Sequence, residues 1–485
     1  VPHIKRRVPT HSPRCCFSRV GLFSKLGLLP WCSRKPPCWP QLFLGSAWKR
    51  NFTHEIVKKY QRGRKSQKKL SYLGPLDGSW QERLVDIVMP LWRLSYEEQL
   101  KVNFEAQKKI LQRLDSYLNV VKVRTAPKSD RLCCLLYLIT SSPIIDGYQN
   151  KSTFSVNQGL DGNLKTVRYY LGTWRDRNII CVSEHLKNIP EKHSQVAQYY
   201  EVFLQSPVES CLLFHEGGHW RELTVHTNSQ GHTMAIITFH PRELRQEELV
   251  QETVKFFTKG PGAFCDLTSL YFQESTMTCC SHQQSLYQLL FGEPHIFEDL
   301  SLKIYISLDA FFQVNTAGTE MLYQTMGDLS RVNSNSILFD ICCETGMTGL
   351  SLAQYTSQVL EIELVEQAEE NAITNCEFHA GAGKILPQLL KSEGDGQLIV
   401  DVVNPARAGL HYQVVQAIRN SRAIRTLVFV SCKPHGENTR NITELYCSPN
   451  SPKKPLSEPF LLRQALPMHL FPHSPNCVLE LLLTR

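Results

Sequence analysis

Two hydrophobic periods alternate along this chain, and the change between them divides it. From about residue 336, short apolar runs rich in β-branched residues are separated by stretches with helical spacing. The runs are Ser336 to Ile341, Gln358 to Leu364, Leu398 to Val403 and Thr426 to Cys432. Such runs predict strands buried on both faces of a parallel sheet. Met347 to Tyr355 and His411 to Asn420 predict the connecting helices. The expected fold class is α/β, a Rossmann-like doubly wound sheet.

Upstream the pattern changes. Residues 95–118 set Leu100, Val102, Phe104, Ile110, Leu111 and Leu114 among charges behind a Ser95-Tyr96-Glu97-Glu98 capping box. That spacing predicts a long amphipathic helix. Between 130 and 300 come shorter runs: Leu132 to Ile139, Thr166 to Leu171, Ile179 to Val182 and Met234 to Phe239. They predict an inserted, mainly antiparallel β domain. The expected division is a leader at 1–50, a basic linker at 51–80 and a helical segment at 81–129. The inserted domain follows at 130–300, and the catalytic domain at 301–485.

Candidate chemistry gathers at the predicted carboxyl ends of the strands, where open α/β sheets form their ligand crevice. Cys432 ends its run just before Lys433-Pro434, so its thiol is placed either to react or, as buried cysteines often do, only to pack. Cys342-Cys343-Glu344-Thr345-Gly346 is the turn after the first strand, and Glu363 is near the end of the second. A glycine turn and a carboxylate in those places suit an adenosine-containing ligand, the acid reaching the ribose hydroxyls. Glu363 equally fits an ordinary solvated side chain. One glycine where a dinucleotide fingerprint needs three argues against NAD.

Charge changes the picture. The formal net charge is +8, yet residues 1–72 carry 17 Lys/Arg against the single acid Glu55. The remaining 36 basic and 44 acidic residues leave 73–485 at −8, so RNA contact on the body must come from local patches. Residues 1–50 hold ten Lys/Arg and no acid, the composition of an organellar transit peptide or of a basic RNA-binding tail. A basic cluster from Lys58 to Lys69 could grip phosphates. No apolar run is long enough to span a membrane. The 17 cysteines include no Cys-x-x-Cys, so no zinc or other metal site is expected, and reduced thiols are. Two glycines break the His215-Glu216-Gly217-Gly218-His219 spacing as a helical zinc motif.

Five segments in order carry a resemblance. They are Asp309 to Asn315, Asp340 to Gly349, Asn404 to Leu410, Ser431 to Pro434, and Leu470-Phe471-Pro472-His473-Ser474-Pro475. Together they resemble the S-adenosylmethionine-dependent RNA (uracil-5)-methyltransferases over about residues 75–485, with the vertebrate mitochondrial branch nearest. The resemblance implies a class I methyltransferase domain with S-adenosyl-L-methionine as cofactor. It implies Cys432 as nucleophile and Gln313, Cys342, Met347, Glu363 and Asn404 as cofactor-contacting positions. It also implies mitochondrial tRNA or rRNA as partner, a matrix location, and an RNA-contacting start to the inserted domain at Tyr148 to Phe154. A monomer is expected.

The chain departs from that pattern at several positions. Glu344 and Glu361 stand where the family has Gly, Asn404 where it has Asp, and Lys433 where it has Asn. The segment from Glu363 to Asn375 is shorter than the family's. By spacing, the family's proton-accepting Glu falls on Val478, while Glu480 lies one strand repeat away on the same face. Glu480 is the candidate base if the strand slips by two residues. An active methyltransferase and a catalytically impaired RNA-binding homologue are the two main readings; a Cys-dependent small-molecule enzyme is a distant third.

Overall fold

The computed structural model describes residues 79–120, 132–171, 180–182, 185–205, 220–240, 246–274, 287–300, 303–306, 308, 312–343, 346–363, 375–392, 398–434, 436–446 and 458–485. The leader, nearly all of the basic linker, His215 to His219, Glu344 and the shortened segment 364–374 lie outside the described residues.

Helices α1 (Trp80–Val88) and α2 (Tyr96–Val120) come first, then strands β1 (Leu135–Leu136), β2 (Lys151–Asn157), β3 (Thr166–Leu171) and β4 (Ile180–Val182). Helix α3 (Glu191–Phe203), β5 (Trp220–Thr227), β6 (Thr233–Phe239), α4 (Gln246–Lys259), β7 (Ser269–Glu274) and β8 (Tyr287–Gly292) complete the inserted region. A ribbon of β9 (Ile296–Asp299) and β10 (Lys303–Ile306) leads into α5 (Thr316–Ser330). The catalytic region continues with β11 (Ser336–Ile341), α6 (Met347–Leu352), β12 (Gln358–Glu363), β13 (Cys376–Ala380), α7 (Ala382–Ser392) and β14 (Leu398–Val403). It closes with α8 (Tyr412–Asn420), β15 (Ile424–Ser431), α9 (Glu437–Tyr446), β16 (Leu461–Met468) and β17 (Val478–Thr484).

Eight strands form the catalytic sheet in the order β1-β16-β17-β15-β14-β11-β12-β13. Neighbouring strands are parallel except β17, which runs antiparallel to both β15 and β16. All six β11 residues are buried, as a central strand covered on both faces requires. Ile337, Phe339 and Ile341 join the cluster that includes Val414, Ile418, Ile442 and Tyr446 of α8 and α9. Leu338 turns to the other cluster, with Leu322, Met326 and Leu329 of α5. Each such side chain contributes roughly 1.5–3 kcal/mol by leaving water.

The inserted domain is a seven-stranded sheet, β4-β3-β2-β5-β6-β7-β8, antiparallel except for the β6–β7 pair that α4 connects. Trp220, Tyr200, Phe203 and Phe239 fill its core. The β9–β10 ribbon is wedged between the two cores. Ile296 and Ile306 pack with Met234, Ile236 and Tyr271, whereas Leu300 and Ile304 join the catalytic cluster. Between them Glu298, fully buried, accepts from Ser229 N at 3.2 Å, from the Ser229 hydroxyl, and from Thr316 Oγ1 at 3.4 Å.

One predicted strand is corrected. Of Leu132 to Ile139 only Leu135–Leu136 is a strand, and it lies on the catalytic sheet, parallel to β16, rather than in the inserted domain. Leu132, Cys133 and Cys134 pack into the catalytic core as a turn, and an apolar run alone does not separate these cases. The capping box forms through its acid arm: Ser95 N and Oγ both donate to Glu98 Oε2, at 3.0 and 2.9 Å. Helix α2 docks through polar contacts as well as its apolar stripe. Gln99 Oε1 accepts from His473 N at 2.7 Å, and Asn103 Nδ2 lies 3.0 Å from His469 Nε2.

Candidate active site

The strand order reverses direction at β11 and β14, and a crevice opens at such a switch point beyond the carboxyl ends. Three turns leave the sheet there. In the first, Cys342 takes a left-handed φ of 62° and donates its N–H to Ile362 O at 2.8 Å. Gly346, φ 71°, starts α6; a Cβ on it would lie 2.6 Å from the Glu361 carboxylate, and one on Gly349 2.8 Å. The Glu361 side chain therefore fills the inner side of this turn, which only glycine could leave open. Met347 is 3 % exposed and sits in the apolar cluster under α5.

Asp340 and Glu361 are cross-strand partners beneath that turn, 0 % and 4 % exposed. Gly349 N–H donates to Asp340 Oδ2 at 2.9 Å, while Asp340 Oδ1 and Glu361 Oε1 have no hydrogen-bond partner among the described residues. Burial raises Asp340 to about 7, helped by the Glu363 carboxylate and opposed by the Gly349 N–H. Burial and then the charge of Asp340 raise Glu361 to about 8. Glu363 itself is half-buried at the end of β12, and its carbonyl accepts from Gly381 N at 2.7 Å.

The second turn begins at Asn404, half-buried, whose N–H donates to Ile341 O at 3.2 Å and so sets it beside Cys342. Its far end is held by Asn441: Leu410 N donates to Asn441 Oδ1 at 2.7 Å, and Asn441 Nδ2 donates to Leu410 O at 3.3 Å. The third turn carries Cys432, half-buried and bordering the same apolar cluster as Phe312 and Phe471. Ser431 Oγ accepts from Lys433 N at 3.1 Å and from Asn438 Nδ2 at 2.7 Å, and Asn438 Nδ2 also donates to Lys433 O at 3.2 Å. Asn438 and Asn441, three apart on α9, thus lock two of the three turns. Sequence reasoning missed both; their signal was a pair of poor helix formers at i, i+3.

Gln313 is half-buried in the loop before α5, whose buried cap Asn315 accepts from Gly318 N at 2.9 Å and donates to Leu470 O at 2.9 Å. Asn150 Nδ2 donates to Gln313 O at 2.7 Å and to Thr316 Oγ1 at 2.9 Å, and Tyr148 OH to Pro472 O at 3.3 Å. Tyr148 and Asn150 are buried, so this part of the expected RNA-contacting segment braces the Gln313 loop.

Strand β17 settles where Glu480 lies. Its register pairs Glu480 with Val430 and Leu466, and Leu479 with Ser431, where the pairing with β15 ends; Val478 pairs with Met468 of β16. Glu480 is fully buried, with no hydrogen bond to either carboxyl oxygen among the described residues, and burial pushes it well above the carboxylate range. A cleft of about 410 Å³ lined by Glu320, Asp328 and Tyr355 includes none of the candidate site residues in its lining. Among the described residues no three His, Cys, Asp or Glu side chains gather as a metal site, and no helix is long and apolar enough to cross a membrane.

No family model matches the chain. The human tRNA (uracil-5-)-methyltransferase homolog B is 71 % identical over 501 residues, covering 99 % of this chain and 99 % of that protein. The chain belongs to the tRNA (uracil-5-)-methyltransferase family. The Danio rerio homolog B is 50 % identical over 84 % of this chain and 88 % of its own length; the human homolog A is 34 % identical over 83 % and 68 %. The fold is shared with a Pyrococcus abyssi tRNA (uracil-54, C5)-methyltransferase solved with S-adenosyl-L-homocysteine. That match has a TM-score of 0.58 at 18 % identity, covering 81 % of this chain and 85 % of the other.

The residues at hand fit the cofactor of this methyltransferase family, S-adenosyl-L-methionine. Glu363 offers a carboxylate for the ribose hydroxyls, and Gln313 and Asn404 offer amides that both donate and accept. Asp340 Oδ1 and Glu361 Oε1, buried under the turn without hydrogen-bond partners among the described residues, are polar atoms that a bound ligand would satisfy.

The acid pair predicts a pH dependence. Its folded pKa values exceed the unfolded ones, so its contribution to stability is complete below the unfolded values and lost as pH rises through about 7 and 8. His193 and His469, held near 4 by burial, act oppositely below their unfolded value of 6.5, so the informative window is pH 6.5 to 8. There urea denaturation should show stability falling, by up to about 1.4 kcal/mol per pH unit for each group still titrating. Glu361→Gln should flatten the fall; parallel curves for parent and variant would refute the assignment.

Proposed function

We propose that this methyltransferase moves a methyl group from S-adenosyl-L-methionine to C5 of a uridine in mitochondrial tRNA or rRNA, with Cys432 as covalent nucleophile. The supporting observation is a half-buried thiol at the carboxyl end of β15, on a turn that Asn438 holds fixed. Uridine C5 is a poor nucleophile until a group adds to C6. Cys432 Sγ forms that bond, and the ring electrons move into an enolate whose C5 can attack a methyl group. The cofactor supplies the methyl group as an electrophile on its sulfonium. Loss of the C5 proton to a base then restores the C5–C6 double bond, and the Sγ–C6 bond breaks to free the thiolate. The target base must leave its stack to reach the thiol. Glu363 holds the nucleoside end of the cofactor, and Gln313, Cys342, Met347 and Asn404 complete its surroundings.

The second reading, an impaired homologue, draws on Val478, the residue just beyond the last β15–β17 pair Ser431–Leu479, standing where a base is expected, while Glu480 is sealed in the sheet. Val cannot accept a proton. Glu480 is displaced by one strand repeat, roughly 7 Å, beyond hydrogen-bond reach of the C5 proton. Addition and methyl transfer survive in that case, and elimination stalls. The acid-free, basic residues 1–50 support import into the mitochondrial matrix.

RNA carrying 5-fluorouridine should trap a protein–RNA adduct stable to denaturing gels, because fluorine cannot leave C5 as a proton does. Cys432→Ala should abolish it, and an undiminished adduct in that variant would remove Cys432 from the mechanism. If elimination stalls as in the second reading, Val478→Glu should raise the rate in multiple-turnover assays by roughly 10²-fold, the scale of a positioned base, while Glu480→Gln changes little. If Glu480→Gln alone stops turnover, Glu480 is the base. Finally, residues 1–50 fused to a fluorescent reporter should carry it into mitochondria; purely cytosolic fluorescence rejects the location.

A further inference from the structure

The β9–β10 ribbon has an inner face spent entirely on the two cores, and its outer face carries a different set of residues. His295, Phe297, Asp299, Lys303 and Tyr305 alternate with the buried Ile296, Glu298, Ile304 and Ile306. Tyr305 and Phe297 are cross-strand partners with ring centroids 4.6 Å apart. His295 meets Tyr305 edge-on at 5.6 Å, and Lys303 Nζ stands 4.4 Å over the Phe297 ring. Tyr305 is 48 % exposed. Three rings and an ammonium thus form one continuous strip on the solvent side of a short ribbon.

The strip is tied to the candidate active site. Glu298, on the opposite face of the same strand, accepts from Thr316 Oγ1, and Asn150 bonds both that hydroxyl and the Gln313 carbonyl. The ribbon is therefore coupled to the Gln313 loop through two side chains. A uridine drawn out of its stack leaves its neighbours without stacking partners, and aromatic strips beside a cation are how proteins replace such partners.

We propose that the outer face of the β9–β10 ribbon stacks an unpaired nucleotide flanking the target uridine, with Tyr305 as the stacking ring, Phe297 and His295 bracing it, and Lys303 on the phosphate. The proposal rests on the reading of the chain as an RNA methyltransferase. RNA is the occupant that this face fits, because it joins ring faces to negative charge. Asp299, the cross-strand partner of Lys303, lies on the same face. The rings therefore supply most of the grip, and the net charge of the strip little.

The test measures binding of the full-length chain to an RNA stem–loop with an unpaired uridine-containing loop, and separately to S-adenosyl-L-homocysteine. Tyr305→Leu should weaken RNA binding by about tenfold, the scale of one lost stack, and leave cofactor binding and melting temperature unchanged. Tyr305→Phe should keep the parent affinity, since the ring and not the hydroxyl is used. Lys303→Gln should weaken binding about threefold and make it less salt-dependent, reducing the salt slope by about one. Parent affinity in both Tyr305→Leu and Lys303→Gln overturns the platform while leaving the methyltransferase reading intact. A parent chain that binds the cofactor but no RNA overturns both.

Discussion

Strand β17 is hydrogen-bonded along both edges, to β15 on one side and β16 on the other, and runs against both. Its side chains also serve two cores at once: Leu479, Leu481 and Leu483 fill one, Val478 and Leu482 the other. A slip by one residue would exchange the two sets, and a slip by two would break end pairs on both edges together. The register that puts Leu479 at the level of Ser431 and Glu480 at the level of Val430 is thus held by the whole centre of the sheet. The position of the carboxylate relative to the thiol follows from that, and with it the contrast between adding a base and releasing it.

Around this centre the site geometry depends on a few buried amides rather than on charges. Asn438 and Asn441 fix the turns of Cys432 and Leu410, and Asn315 and Asn150 fix the start of α5 and the Gln313 loop. Asn441 and Asn315 are bonded through both the oxygen and the nitrogen of their amides, and leaving such partners unsatisfied costs about 1–3 kcal/mol each. The buried carboxyls behave differently. Asp340, Glu361, Asp401 and Glu480 are all pushed up by burial, so they are easier to hold as neutral acids than as ions.

The catalytic sheet was legible because its strands are continuous apolar runs closed by turn residues. Ser336–Ile341 and Leu398–Val403 have the boundaries their patterns predict, and the helix expected at 95–118 spans Tyr96–Val120. Leu132 to Ile139 misled because its apolar residues feed the catalytic core from a turn, and hydrophobicity does not report which core a side chain enters. Tyr148 and Asn150 were legible as a motif, but their partners lie more than 160 residues away in Gln313, Thr316 and Pro472, which local spacing does not encode. Glu361 stood out as a carboxyl where glycine is usual; its place under Gly346 and Gly349 needed the pairing of β11 with β12.

Methyl transfer to a uridine carbon can be read out with labelled cofactor. The chain is incubated with methyl-labelled S-adenosyl-L-methionine and mitochondrial tRNA or rRNA, and the RNA is digested to nucleosides. Label should appear in 5-methyluridine at a discrete position, in at least stoichiometric amount relative to the chain once protein-bound RNA is included. Label in another nucleoside, or none in RNA from a chain shown to bind the cofactor, would contradict that transfer.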